Sequence, residues 1–274
     1  MSNLTITTDT PWVNGLDVLS TMAPAFRDNL GPAEGVEGLM SKYNIRQLYL
    51  DPVTTRRIDH VRTDPGYIDL TCAYHDSVEE SLFIGGTVTL DGEAEMKDGD
   101  YFWRPPGFVH CAWTDGGFEA ILMMEGISPT DGSGPASRVV HPHDIAGTNP
   151  LVEIDEEAVG PRGWVRHQPT ELLPWGPLPE DAWPNDGKLT ARNLSVNVHT
   201  GAASRLVRSK SDVDLPASVS ARERFIIVLK GSVDIDGEDT VPAVGLIHVP
   251  AGQELNALHL APGTQVMLKT GPTL

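Results

Sequence analysis

The stretch GDYFWRPPGFVH, residues 99–110, sets a histidine three residues behind a Pro-x-Gly pair, with a glycine six residues before the proline. A neutral imidazole is the side chain most often used to hold a transition metal near neutral pH. His110 therefore has two readings, a metal ligand or the polar end of a tight turn, and the residue alone does not choose between them. Other chemistries leave no trace: with 27 glycines in the chain, no phosphate loop, dinucleotide fingerprint or nucleophile elbow occurs.

The elements that must position His110 read as strands. RQLYLD, YIDLTCAY, ESLFIGGTVTLDG, FEAILMME, RFIIVLKGSVDIDG, GLIHVPAG and TQVMLKTG are short runs, alternating or rich in β-branched and aromatic residues, bounded by Gly, Pro, Asp and Asn. Helix is predicted only early, around GLDVLSTMAPAFRDNL and GVEGLMSKY, and Pro24 limits the first of these. Pro105-x-Gly107 predicts a turn that aims the strand carrying His110, since proline presets φ and glycine accepts the positive φ such turns need.

Composition narrows the partners. A net charge of -18 and a pI near 4.7 exclude a phosphate-tracking surface, so neither nucleic acid nor an anionic membrane is an expected partner. The start, MSNLTITTDTPW, lacks a basic segment followed by an apolar one, and no run of 18 apolar residues occurs, so a cytoplasmic protein is expected. Two cysteines, Cys72 and Cys111, are too few for a disulfide framework and read as buried thiols.

An internal repeat organises the chain. EESLFIGGTVTLDG (79–92) matches RERFIIVLKGSVDIDG (222–237), and the 145-residue offset that joins them also carries Pro105 onto Pro250 and Gly107 onto Gly252. Upstream, RQLYLDPVTTRRIDHVR (46–62) matches RNLSVNVHTGAASRLVR (192–208) at an offset of 146. The expected organisation is an N-terminal β domain over 1–145, a connector over 146–187 and a C-terminal β domain over 188–274. In the Pro- and Gly-rich segment between the repeats, Trp164, Trp175 and Trp183 are expected to pack across a domain interface.

These residues resemble the cupin superfamily. Its second motif, Gly, five residues, Pro-x-Gly, two residues, His, is met by Gly99, Pro105, Gly107 and His110; its first is met in part by His75, Glu79 and Gly86, with Ala73 where the family has a first histidine. The resemblance covers both repeats and implies an all-β fold of two tandem cupin (double-stranded β-helix, jelly-roll) barrels with minor helix. It implies His75, Glu79 and His110 as metal ligands in the first barrel, and alternation along the strands supports their meeting inside it. Two imidazoles and one carboxylate suit Fe(II), and Zn, Mn, Ni or Co can take the same donors. His60 is a candidate fourth ligand. His141 and His143 have ligand-like spacing and read as structural, as do His199, His248 and His259.

In the second repeat the same offset puts Ser220, Arg224 and Leu255 at the three ligand positions. An arginine repels a divalent cation and leucine offers no lone pair, so that barrel is expected to bind no metal there. It is expected to cover a sheet edge or to form a homodimer interface.

Phe83, Tyr101, Phe102, Trp103, Phe108, Trp113 and Met123 are candidates to line the pocket, with parity admitting only some of them. Tyr74, next to a ligand, and Arg104, before the turn, are the candidate catalytic residues; Arg104 reads either as an anion binder or as one half of a surface salt bridge. The functional expectation is an Fe(II) dioxygenase acting on a small phenol, diketone or hydroxy acid. The alternatives are a metal-dependent isomerase, lyase, decarboxylase or hydrolase, and a ligand-binding or sensory protein without catalysis.

Overall fold

The computed structural model describes residues 4–21, 33–54, 56–75, 77–105, 108, 110–125, 137–139, 162–238 and 240–271, and for 33–34, 70–75 and 137–139 the backbone alone. The chain forms two compact units, one of residues 11–169 and one of residues 1–10 together with 170–274. Both are built of antiparallel strands. Among the described residues the α-helices are Gly15–Thr21 and Ala33–Ser41, which overlap the two early segments that predict them. Asn14 caps the first, its Oδ1 accepting the Leu16 N–H at 3.1 Å.

In the first unit the long strand Val78–Leu90 is shared by two layers. Its first half pairs with Asp100–Arg104 and Phe118–Glu125, and its second half with Ala94–Lys97 and His110–Thr114. The change of layer comes at Gly86, whose φ is +69° and whose Cβ, were there one, would lie 2.2 Å from the Gly117 carbonyl oxygen. Only glycine fits there. In the second unit Gly231, φ +76°, separates Arg224–Lys230 from Ser232–Ile235 at the equivalent point.

Strand pairing reproduces the sequence repeat residue by residue. In the first unit Arg57, Met124, Glu79 and Arg104 form one rung across neighbouring strands. In the second the rung is Ala203, Thr270, Arg224 and Val249, each at an offset of 146 or 145. One rung further in, Gln47, Asp59, Leu122, Ser81 and Phe102 correspond to Asn193, Arg205, Leu268, Ile226 and Ile247. Opposed residues share a face, and these rungs share theirs with the two cores. One core holds Val61, Phe83, Val88, Phe102 and Ala120; the other holds Val207, Ile226, Val228, Ile247 and Leu268.

Each unit borrows an edge strand from a distant part of the chain. Thr5–Thr7 pairs with Leu246–Val249 in the second unit, and Val165–Pro169 pairs with Asp100–Arg104 in the first. The segment expected to be a connector is therefore structured on both sides of residue 170. Trp164 meets Phe108 edge-on at 4.8 Å within the first unit, whereas Trp183 is 0% exposed in the core of the second. Trp175 in the second unit lies under the guanidinium groups of Arg192 and Arg208, at 4.4 and 3.9 Å. All three contacts stay within one unit, because the tryptophans fill apolar and cationic surface next to their own strands. Among the described residues no helix is long and apolar enough to cross a membrane.

Candidate functional site

Glu79 and His110 meet inside the first barrel. Glu79 shares a strand face with Phe83, and His110 shares one with Ala112, which packs on the same core. Their facing atoms, Glu79 Oε2 and His110 Nε2, are 3.6 Å apart, too far for a hydrogen bond and close to the spacing of two donors around one ion. The His110 Nδ1–H donates to the Phe108 carbonyl at 3.2 Å, and the Phe108 ring stacks on the imidazole at 10°. With Nδ1 as the donor, Nε2 carries the lone pair and points at the carboxylate, the orientation that metal-ligating histidines take.

The third expected ligand stands at the end of the strand Tyr67–His75, in which Ala73 pairs with His110. The side chains of His75 and Tyr74 lie outside the described residues, as do His141 and His143. Among the described residues no group of three His, Cys, Asp or Glu is placed to hold a metal. The two described donors fit a divalent transition metal in type, tautomer and separation. One neighbour competes with such an ion for the carboxylate, and it is Arg104.

Arg104 is 1% exposed, which removes the surface salt bridge as a reading. Its Nη1 donates to Glu79 Oε2 at 3.2 Å and its Nη2 to Glu93 Oε1 at 2.5 Å. The guanidinium also lies 4.0 Å from the Phe102 ring centroid and 4.9 Å from that of Phe108. Burial raises the Glu93 carboxyl above its ordinary range, against the pull of Arg104. Arg104 thus fixes the orientation of Glu79 through a buried two-carboxylate clamp. Glu93 gives no signal in the sequence, since it sits in a turn after the strand that carries Glu79.

A second carboxylate inside the barrel is also missed by the sequence reading. Asp59 is 2% exposed, its Oδ2 forms an ion pair with Arg57 Nε at 3.1 Å, and its Oδ1 has no hydrogen-bond partner. Burial pushes its pKa up to about 6, only partly opposed by Arg57. The buried Tyr43 hydroxyl feels Asp59, Arg57 and Glu79 together, and burial raises its pKa above the ordinary range. These groups therefore share one interior. Parity with Val61, two residues on, was the signal available.

His60, the candidate fourth ligand, faces the other way. It hydrogen-bonds Glu119 and packs against Trp12 at 4.7 Å between ring centroids. Alternation along Arg57–Thr63 puts Asp59 and Val61 inside and His60 outside, so it cannot reach Glu79. The same rule sorts the expected pocket lining. Phe83 and Phe102 face the interior, and Phe108 covers His110 and Arg104. Tyr101, Trp103, Trp113 and Met123 occupy the opposite faces of their strands; Tyr101 donates its hydroxyl to Glu80 at 2.7 Å.

In the second unit Ser220, Arg224 and Leu255 take the equivalent places. Leu255 is 1% exposed, Ser220 Oγ accepts the Arg222 N–H at 3.0 Å, and Arg224 is wholly buried. His248 is bound to Glu223 at 2.7 Å and His259 to Asp214 at 2.9 Å. Cys111 is buried and unbridged.

No family model matches the chain, and no curated protein sequence matches it. Solved structures do. A candidate dioxygenase from Nostoc punctiforme matches at 16% identity over 85% of this chain and 74% of that one, with a TM-score of 0.67. Oxalate decarboxylase from Bacillus subtilis matches at 13% identity over 84% and 72%, with a TM-score of 0.52. Bacterial pirin in complex with nickel(II), from Escherichia coli, matches at 12% identity over 99% and 100%, with a TM-score of 0.53. These neighbours are cupin-fold proteins, and at such identities the likeness speaks for the fold. The chain therefore carries the cupin fold, an all-β jelly roll.

Proposed function

We propose that this chain is a bicupin whose first barrel is a metal-dependent enzyme, with His75, Glu79 and His110 holding a divalent transition metal, Fe(II) before Zn, Mn, Ni or Co. The observation that carries this reading is the pair of facing donors, Glu79 Oε2 and His110 Nε2 at 3.6 Å, with the histidine tautomer set by the Phe108 carbonyl. When bound, the metal supplies Lewis acidity and the redox chemistry of dioxygen activation. Arg104 holds Glu79 in place, and Phe83, Phe102 and Phe108 keep water from the site. The substrate class is a small oxygenated organic molecule, a phenol, diketone or hydroxy acid, and the reaction is dioxygenation. The structural neighbour described as a candidate dioxygenase supports that class.

One observation favours a second reading. Asp59, with a pKa near 6 and an unpartnered oxygen, can hold or release a proton near neutrality inside the same barrel. That suits a metal-dependent decarboxylase or isomerase, which needs proton transfer and no oxidant.

Metal analysis of anaerobically purified protein, with His110→Ala beside it, tests the shared part. Wild-type protein holding less than about a tenth of an equivalent after reconstitution defeats both readings and leaves a ligand-binding role. Oxygen uptake on a panel of phenols, diketones and hydroxy acids separates them, because a decarboxylase or isomerase turns over under argon.

A further inference from the structure

Among the described residues, the buried Arg224 of the second barrel has no counter-charge. Arg224 is 0% exposed and shares its strand face with Ile226 and Val228 of the core. Of its five N–H donors, one on Nη1 goes to Ser218 Oγ at 2.9 Å and one on Nη2 to the Ser218 carbonyl at 3.0 Å. The Nε–H has no partner, and among the described residues no carboxylate contacts the guanidinium. The preceding Glu223 lies on the opposite face and is bound by His248.

A second arginine stands one rung further in. Arg205 pairs with Leu268, which pairs with Ile226, so it faces the same interior. It is 7% exposed, and its Nε donates to Asn193 Oδ1 at 2.9 Å. Asn193 itself is exposed. Lys269, also buried, lies between Leu268 and Thr270 and therefore on the outer face.

The rung has room. Arg57, Met124, Glu79 and Arg104 of the first unit are replaced by Ala203, Thr270, Arg224 and Val249, so three of four interior side chains are smaller. A buried guanidinium facing only neutral partners costs several kcal/mol, and a carboxylate on its unused edge would offset that cost through two parallel hydrogen bonds. Burial lowers the Arg224 pKa to about 10, so the group is still cationic at neutral pH.

We propose that the second barrel is an anion site that takes a small carboxylate on the inner edge of Arg224, with Arg205 adding its charge from the neighbouring rung. Where the first barrel gathers donors for a cation, the second presents cations to an anion. The second barrel is then a binding module and more than a structural copy.

Isothermal titration of the full-length protein with sodium formate, acetate and oxalate, in a sulfonate buffer free of chloride and phosphate at constant ionic strength, tests this. At least one of the three is expected to bind saturably at about one equivalent and to raise Tm. Arg224→Met is expected to weaken that binding at least tenfold, and Arg224→Lys, which keeps the charge and loses the fork, at least threefold. If Arg224→Met does not fold, Arg224→Lys decides alone. His110→Ala must leave the anion response intact, which separates this site from the metal proposed in the first barrel. Absence of saturable binding by all three anions overturns the proposal, and so does binding that survives both Arg224 variants or vanishes in His110→Ala.

Discussion

At one rung the first barrel sets Glu79 opposite Arg104, and at the same rung the second sets Arg224 opposite Val249. One rung inward the exchange repeats, Asp59 in the first against Arg205 in the second. The strands, the glycine at the change of layer and the pairing register are alike in both units, while the acids Glu79 and Asp59 of the first are replaced by Arg224 and Arg205 in the second and the arginines Arg57 and Arg104 by Ala203 and Val249. Backbone pairing and an apolar floor suffice for the barrel; the side chains at its polar end are left to vary. Electrostatics then helps decide what each interior can hold, since a carboxylate in one barrel and a guanidinium at the matching position of the other favour ligands of opposite charge.

The largest expected effect separates the barrels by metal. His110→Ala or Glu79→Gln should lower bound metal at least tenfold, read by elemental analysis, whereas Ser220→Ala and Leu255→Ala should leave it unchanged. A loss of half the metal in either second-barrel variant would break the correspondence of the rungs.

Stability comes next. Arg104→Ala strands the buried Glu79 and Glu93 carboxylates and should cost about 3–5 kcal/mol in denaturant unfolding. Arg224→Met strands no acid and should be neutral or stabilising. Equal losses in the two would show that Arg224 has a counter-charge after all.

The pH dependence of Asp59 is somewhat smaller. Its folded pKa of about 6 lies above the ordinary 3.8, so the folded state binds the proton more tightly. Stability should fall as pH rises from about 4 through 6 and stay lowered above. Two pKa units correspond to about 3 kcal/mol. Asp59→Asn should therefore be more stable than wild type at pH 8 by up to that amount, with the difference closing near pH 4. A difference that does not depend on pH would show that Asp59 is ionised throughout. The charged neighbour that opposes this burial is Arg57.

Much of this was written in local patterns. Alternation, the turn residues and the repeat offset predict the all-β fold and the two early helices, and the offset anticipates which residues share a rung. Burial alone does not sort Arg57–Thr63, where Asp59 and His60 are both buried; parity with Val61 and pairing with Leu122 show that Asp59 looks inward. Arg104 read as an anion binder or a surface cation because its partner Glu93 is fixed by tertiary folding alone. The edge strands Thr5–Thr7 and Val165–Pro169 carry no pattern that names their partners, since strand pairing over such distances leaves no local mark.

Those two edge strands also govern how the chain can be made and cut. The first barrel cannot complete its edge during synthesis until residues 165–169 have left the ribosome, well past its own last core strand at Phe118–Glu125. The second waits with its partner strand already made, at residues 5–7. Two separately expressed halves divided at residue 145 would each carry the other's missing strand and leave an open edge ready to pair with a neighbour. Mixed together, such halves should recombine by exchanging those strands, so the repeat boundary is a poor place to sever this protein and a natural place to reassemble it.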